Sequence, residues 1–101
     1  MRYLGALHGA GMLSLGEESL GRASYDFDGY VSRPGEVTSS GEIRTTRKAL
    51  KSMFGMKGLR LVTDDGRTLS LRFTEKALRP DSISAHVDVM GDLPSEHDWT
   101  S

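Results

Sequence analysis

Apolar and polar residues alternate with period two along most of this chain, most legibly in "LRLVTDDGRTLSLRF", residues 59–73. Two alternating runs flank Asp64-Asp65-Gly66, the pattern of a β-hairpin. A two-residue loop at Asp65-Gly66 would set Leu61 opposite Ser70 and Leu71 opposite Arg60, so the apolar faces would not match. A three-residue loop, Asp64-Asp65-Gly66, sets Leu61 opposite Leu69 and Leu59 opposite Leu71. Opposed residues point to the same side of a sheet, so this register gathers the leucines, with Phe73, on one face. Gly66 then closes a type I turn in the left-handed region, which glycine enters without steric cost. Arg60, Val62, Ser70 and Arg72 face the other way.

Three further segments alternate. In "RASYDFDGYVS", Ala23, Tyr25, Phe27 and Val31 share one parity, against Arg22, Ser24, Asp26 and Asp28. In "EVTSSGEIR", Val37, Ser39, Gly41 and Ile43 oppose Glu36, Glu42 and Arg44. In "SISAHVDVM", Ile83, Ala85, Val87 and Val89 oppose Ser84, His86, Asp88 and Met90. All three read as half-buried strands. Pro34-Gly35 marks a turn between the first two, and Leu78-Arg79-Pro80-Asp81 a connection before the last. An earlier strand within Met12 to Leu15, extending toward Tyr3, is interrupted by glycines.

One segment breaks the period. In "TTRKALKSMFG", Ala49, Leu50, Met53 and Phe54 recur at helical spacing, with Arg47, Lys48 and Lys51 on the other side. Thr45 or Thr46 suits an N-cap and Gly55 a C-terminal stop, which predicts a helix over residues 46–54. The predicted fold is mostly β: a small antiparallel barrel or two-layer β-structure of about five or six strands, with one short helix between the third and fourth. That position resembles the helix of an OB-type barrel, a resemblance of element order alone. Residues 1–92 read as one β-rich domain. Residues 93–101, "LPSEHDWTS", read as an acidic, mobile tail unless Trp99 docks.

The chain has 101 residues, 37% of them hydrophobic, which suits one domain with one core and excludes global disorder. It has no cysteine, so disulfides, thiolate metal sites and cysteine nucleophiles are excluded. The formal net charge of −1 provides no global field toward nucleic acid or membrane. "MRYLGALHGAGMLSLG" carries Arg2 and a mildly apolar run, but His8 and its glycines interrupt that run and no small-x-small cleavage site follows. No stretch approaches the roughly 20 apolar residues of a membrane helix. A cytoplasmic protein that does not engage a membrane is the expectation.

Chemistry is sparse. His86 and Asp88 stand two apart on a predicted strand, hence on one polar face, where an imidazole beside a carboxylate can orient as a base or ligate a metal. No third ligand is assignable, since His8 and His97 are distant in sequence, and surface pairing is the plainer account. Asp26 and Asp28 share a face in the same way, with Arg22 beside them, and read as a solvated wall. "GALHGAG" fits neither a dinucleotide nor a phosphate loop and reads as close packing. No Gly-x-Ser-x-Gly elbow is present. No catalytic residue, metal ligand or cofactor site is therefore expected.

Charge segregation is the one pattern above this background. Residues 44–60 hold Arg44, Arg47, Lys48, Lys51, Lys57 and Arg60 and no acid, while the flanking stretches carry net charges of −3 and −4. These six form the candidate partner-binding set. The favoured function is a non-catalytic binding or assembly module that meets an acidic protein or a second copy of itself. A nucleic-acid-binding OB-like domain using the same segment is the runner-up, weakened by poor aromatic interleaving. A small hydrolase or metal enzyme around His86 and Asp88 is third. In "SMFGM", Met53, Phe54 and Met56 read as core filling before an adaptable interface.

Overall fold

The computed structural model describes residues 1–95, 98 and 99. Its elements run β1 (Arg2–Leu15), β2 (Glu18–Arg33), β3 (Glu36–Arg44), α1 (Arg47–Met53), β4 (Leu59–Thr63), β5 (Thr68–Phe73) and β6 (Ser84–Gly91). The strands close into a barrel in the order β1-β2-β3-β6-β5-β4. Two antiparallel meanders, β1–β2–β3 and β4–β5–β6, join edge to edge through β1 with β4 and β3 with β6. Each strand is paired on both sides over part of its length, but β1 meets β4 only from Gly11 to Leu15, so its first part pairs with β2 alone. The helix lies between the third and fourth strands as the order predicts, in a ring of six strands where the OB fold has five. No helix among the described residues is long and apolar enough to cross a membrane.

The hairpin adopts the leucine-matched register. Leu59 pairs with Leu71 and Leu61 with Leu69. Gly66 has φ +95° and donates its N–H to the Thr63 carbonyl at 3.0 Å, closing the three-residue loop. The Thr63 hydroxyl anchors that loop, donating to Asp65 and accepting from the Arg67 N–H. Leu59, Leu61 and Leu69 are completely buried, while Val62 is exposed on the outer wall. The same inward parity buries Tyr25 and Phe27 of β2, Ile43 of β3, and Val87 and Val89 of β6. Each such side chain contributes about 1.5–3 kcal/mol of transfer free energy. Phe73 is half-buried against this cluster, its ring 4.9 Å from that of Phe54.

Two expectations need correction. The first strand is not broken by its glycines: β1 runs 14 residues and pairs with both β2 and β4. At Gly11 the backbone of β4 comes so near that a Cβ would lie 2.4 Å from the Val62 carbonyl oxygen. The glycine there permits a close crossing. Ile83 does not join the inner face. The β3–β6 ladder ends at the pair Arg44–Ser84. Ile83 lies one residue beyond it, gives its carbonyl to the Thr45 N–H, and leaves its side chain 50% exposed because no neighbouring wall covers it.

β3 and β4 stand on opposite sides of the six-strand ring, so the chain between them must cross one end of the barrel. Helix α1 lies in that crossing. Thr46 caps it by accepting from the Ala49 N–H at 3.1 Å, and Gly55 follows it at φ +80°. Seven residues cannot hold a helix in isolation. Leu50 and Met53, both completely buried, fasten it into the barrel core.

Candidate functional site

Apolar side chains pack the barrel core, and the charged candidate residues lie on its outer wall. A groove of about 680 Å³ lies on the outer wall of β1, β2, β3 and β6. Register explains its lining. His8 stands opposite Asp26, Asp26 opposite Glu42, and Glu42 opposite His86. Four exposed polar side chains thus form one row across four strands, two carboxylates at its centre and an imidazole at each end. Like charges directly opposed across a ladder destabilise it. Asp28 lies two residues along β2 from Asp26, and its carboxylate accepts a hydrogen bond from the Tyr3 hydroxyl at 3.0 Å. That contact raises the Tyr3 phenol above its ordinary 10.0. Arg44, opposite both Ser24 and Ser84, closes the groove at the other end.

The structure therefore brings together residues that the sequence leaves apart. Asp26, Asp28, His86 and His8 share one groove. His86 and Asp88 do share a face, but each takes its partner from β5 or the segment after it. The Arg72 guanidinium donates to Asp88 at 3.1 Å, and the Thr74 hydroxyl lies 2.7 Å from Nδ1 of His86. A hydroxyl on an imidazole is the beginning of a nucleophile–base pair. That pair sits on an exposed part of the wall, and the Glu75 carboxylate nearby is occupied by the His86 N–H at 2.7 Å. Among the described residues, no group of three or more His, Asp or Glu is placed to hold a metal ion. His97 falls outside the described residues.

The six basic residues surround the end of the barrel that α1 closes. Arg44 and Arg60 lie on opposite walls, with Arg47, Lys48, Lys51 and Lys57 along the crossing between them. All six are exposed. Met53 is buried beneath them and Phe54 half-buried, while Met56 is 47% exposed. Ion pairs form elsewhere: Arg22 with Asp64 at 2.6 Å, Arg67 with Asp65 at 3.9 Å and Arg72 with Asp88 at 3.1 Å. Among the described residues, none of the six has an acidic partner within ion-pair distance.

The His8–Asp26–Glu42–His86 row was not legible in the sequence. Each member has the outward parity of its own strand, and that parity is readable. Short turns join β1 to β2 and β2 to β3, but no short turn sets the register of β3 against β6, which brings His86 to Glu42. Comparison with known protein families, curated proteins and solved structures finds no match.

Proposed function

We propose that this chain is a non-catalytic binding and assembly module that docks its basic barrel end onto an acidic protein surface, in the first instance the outer groove of a second copy. The observation that carries this reading is the set of six exposed basic side chains without ion-pair partners among the described residues. The groove supplies the complement: Asp26 and Glu42 oppose one another there, and a cation between them relieves their repulsion. Basic end and acidic groove share Arg44 and are otherwise different surfaces, so the contact is head-to-tail and propagates into a ring or a short filament.

The test is association measured by analytical ultracentrifugation as a function of salt. Self-association at low ionic strength should weaken on passing to 1 M salt, where the Debye length falls to about 3 Å. Arg47→Glu with Lys51→Glu should abolish it, as should Asp26→Lys with Glu42→Lys. Mixing the two double variants should restore it, because the reversed helix of one meets the reversed groove of the other. A monomer at every salt concentration defeats the self-assembly reading. Tight binding to DNA or RNA, with a log–log salt slope of about −3 to −5 and loss in the helix double variant, would replace it with nucleic-acid binding.

A further inference from the structure

Helix α1 closes one end of the barrel. Toward the end where β3 begins, the wall is built from small residues. Gly5 pairs with Gly29, and Gly29 with Ser39, so three neighbouring strands present almost no side chain on that side. The space is filled by an aromatic ring from the C-terminal segment. A Cβ on Gly29 would lie 2.7 Å from three ring atoms of Trp99. The indole therefore rests in the room that the missing Cβ leaves.

The indole N–H donates to the carbonyl of Pro94, in its own segment, at 3.1 Å. Ser39 is only 7% exposed, and its hydroxyl, pointing inward with the parity of Ile43, has no hydrogen-bond partner among the described residues. Buried polar groups are almost always satisfied, so an orphaned hydroxyl beside an aromatic slot marks an unmet recognition group. A cleft of about 560 Å³, with Val37, Val89 and Leu93 on one part of its lining and Arg72 and Asp88 on another, reaches Ser39 and Pro94. Val37, Val89 and Leu93 give it an apolar side that suits a ring, and Pro94 links it to the indole.

We propose that this slot is a binding site for a planar aromatic ring carrying a hydroxyl, a phenol in chemical terms, and that Trp99 is a tethered occupant which the ligand displaces. The phenol stacks where the indole now lies, and its hydroxyl exchanges a hydrogen bond with Ser39. The indole, with a single N–H committed to Pro94, fills the shape of the slot but leaves the serine unmet. Its tether keeps the slot closed to purely apolar rings and yields to a ligand that gains the extra hydrogen bond. A free phenol and a tyrosine side chain of a partner share this chemistry. The site is independent of the basic end and the acidic groove, so it stands or falls separately from the assembly reading.

The test uses p-cresol, N-acetyltyrosinamide and toluene as probes, followed by amide NMR shifts at Gly29 and Ser39. In a Trp99→Ala chain, p-cresol should bind about fivefold to tenfold more tightly than toluene, the range that one net hydrogen bond provides. Adding Ser39→Ala should erase that difference. A comparable gain for N-acetyltyrosinamide assigns the slot to a peptide side chain, and a gain for p-cresol alone assigns it to free phenols. Equal binding of toluene and p-cresol, or shifts that avoid Gly29 and Ser39, would overturn the proposal. Should Trp99→Ala not fold, the unaltered chain still decides the matter through its one tryptophan. Displacement by p-cresol should shift indole fluorescence to the red, with no shift from toluene at equal concentration. Identical responses to the two probes would overturn it as surely.

Discussion

Gly41 of β3 passes so close to β2 that a Cβ on it would lie 2.1 Å from the carbonyl oxygen of Asp26. The next atom, Cα of Phe27, would be 2.8 Å away. The obstacle is backbone, which cannot swing aside as a side chain tip does. Gly41→Ala should therefore destabilise the fold by about 3 kcal/mol, the upper end of the usual overpacking range. Gly16 is the control. It has φ +62° with nothing within 4 Å, so Gly16→Ala should cost only the left-handed penalty of about 1–2 kcal/mol. Urea unfolding of the two variants decides it. A Gly41→Ala protein no less stable than the Gly16→Ala protein would contradict the close crossing.

At the tip of the β4–β5 hairpin the requirement is dihedral rather than spatial. Gly66 has φ +95° with open space around it. A β-branched residue resists that conformation, so Gly66→Val should cost about 1–2 kcal/mol or more. Cross-strand proton contacts between Leu61 and Leu69 should persist in the variant, since the leucine faces hold the register. If Gly66→Val is neutral by thermal unfolding, the loop does not have the three-residue geometry.

The plug formed by α1 separates capping from burial. Thr46→Ala removes one acceptor for the Ala49 N–H and should cost about 1 kcal/mol. Leu50→Ala empties a fully buried position and should cost about 2–5 kcal/mol. Lys48→Glu, on the exposed side, should leave stability within about 0.5 kcal/mol. Chemical denaturation of the three variants should reproduce this ranking. A large loss in Lys48→Glu would mean that the basic side faces inward.

The exposed pair Arg22–Asp64 predicts a pH signature. The Arg22 guanidinium beside Asp64 holds that carboxyl below its usual 3.8. A carboxyl whose folded pKa is depressed stabilises the fold above its unfolded value, and this contribution fades as pH falls through the folded value. Asp64→Asn should thus be slightly less stable than the natural chain at pH 7. The difference should shrink below pH 3.8 and disappear in more acidic solution. Salt should reduce it at pH 7, because both partners are solvated. A stability gap that is constant from pH 7 into acid would assign the effect to something other than the ion pair.

What the chain determines by itself is local. Period-two parity selects Tyr25, Phe27, Ile43, Val87 and the hairpin leucines for the interior, because successive side chains of a strand must point to opposite faces. Turn chemistry sets the β4–β5 register, because a loop of three residues leaves one pairing that keeps the leucines together. Helical spacing and a threonine cap locate α1. Relations between distant segments were decided only in three dimensions. Parity places Asp26, Glu42 and His86 outward but does not say that His86 faces Glu42, since β3 and β6 are separated by three other elements. The glycines of β1 read as interruptions because the strand that approaches Gly11 lies some fifty residues away, and only closure of the barrel brings Thr63 beside it. Gly29 and Trp99 are 70 positions apart, and no local propensity couples a missing Cβ to a ring that fills its place. The physical reason is common to all three. Backbone preferences act over a few residues, whereas neighbours across a closed sheet are chosen by the global register that buries the most apolar surface.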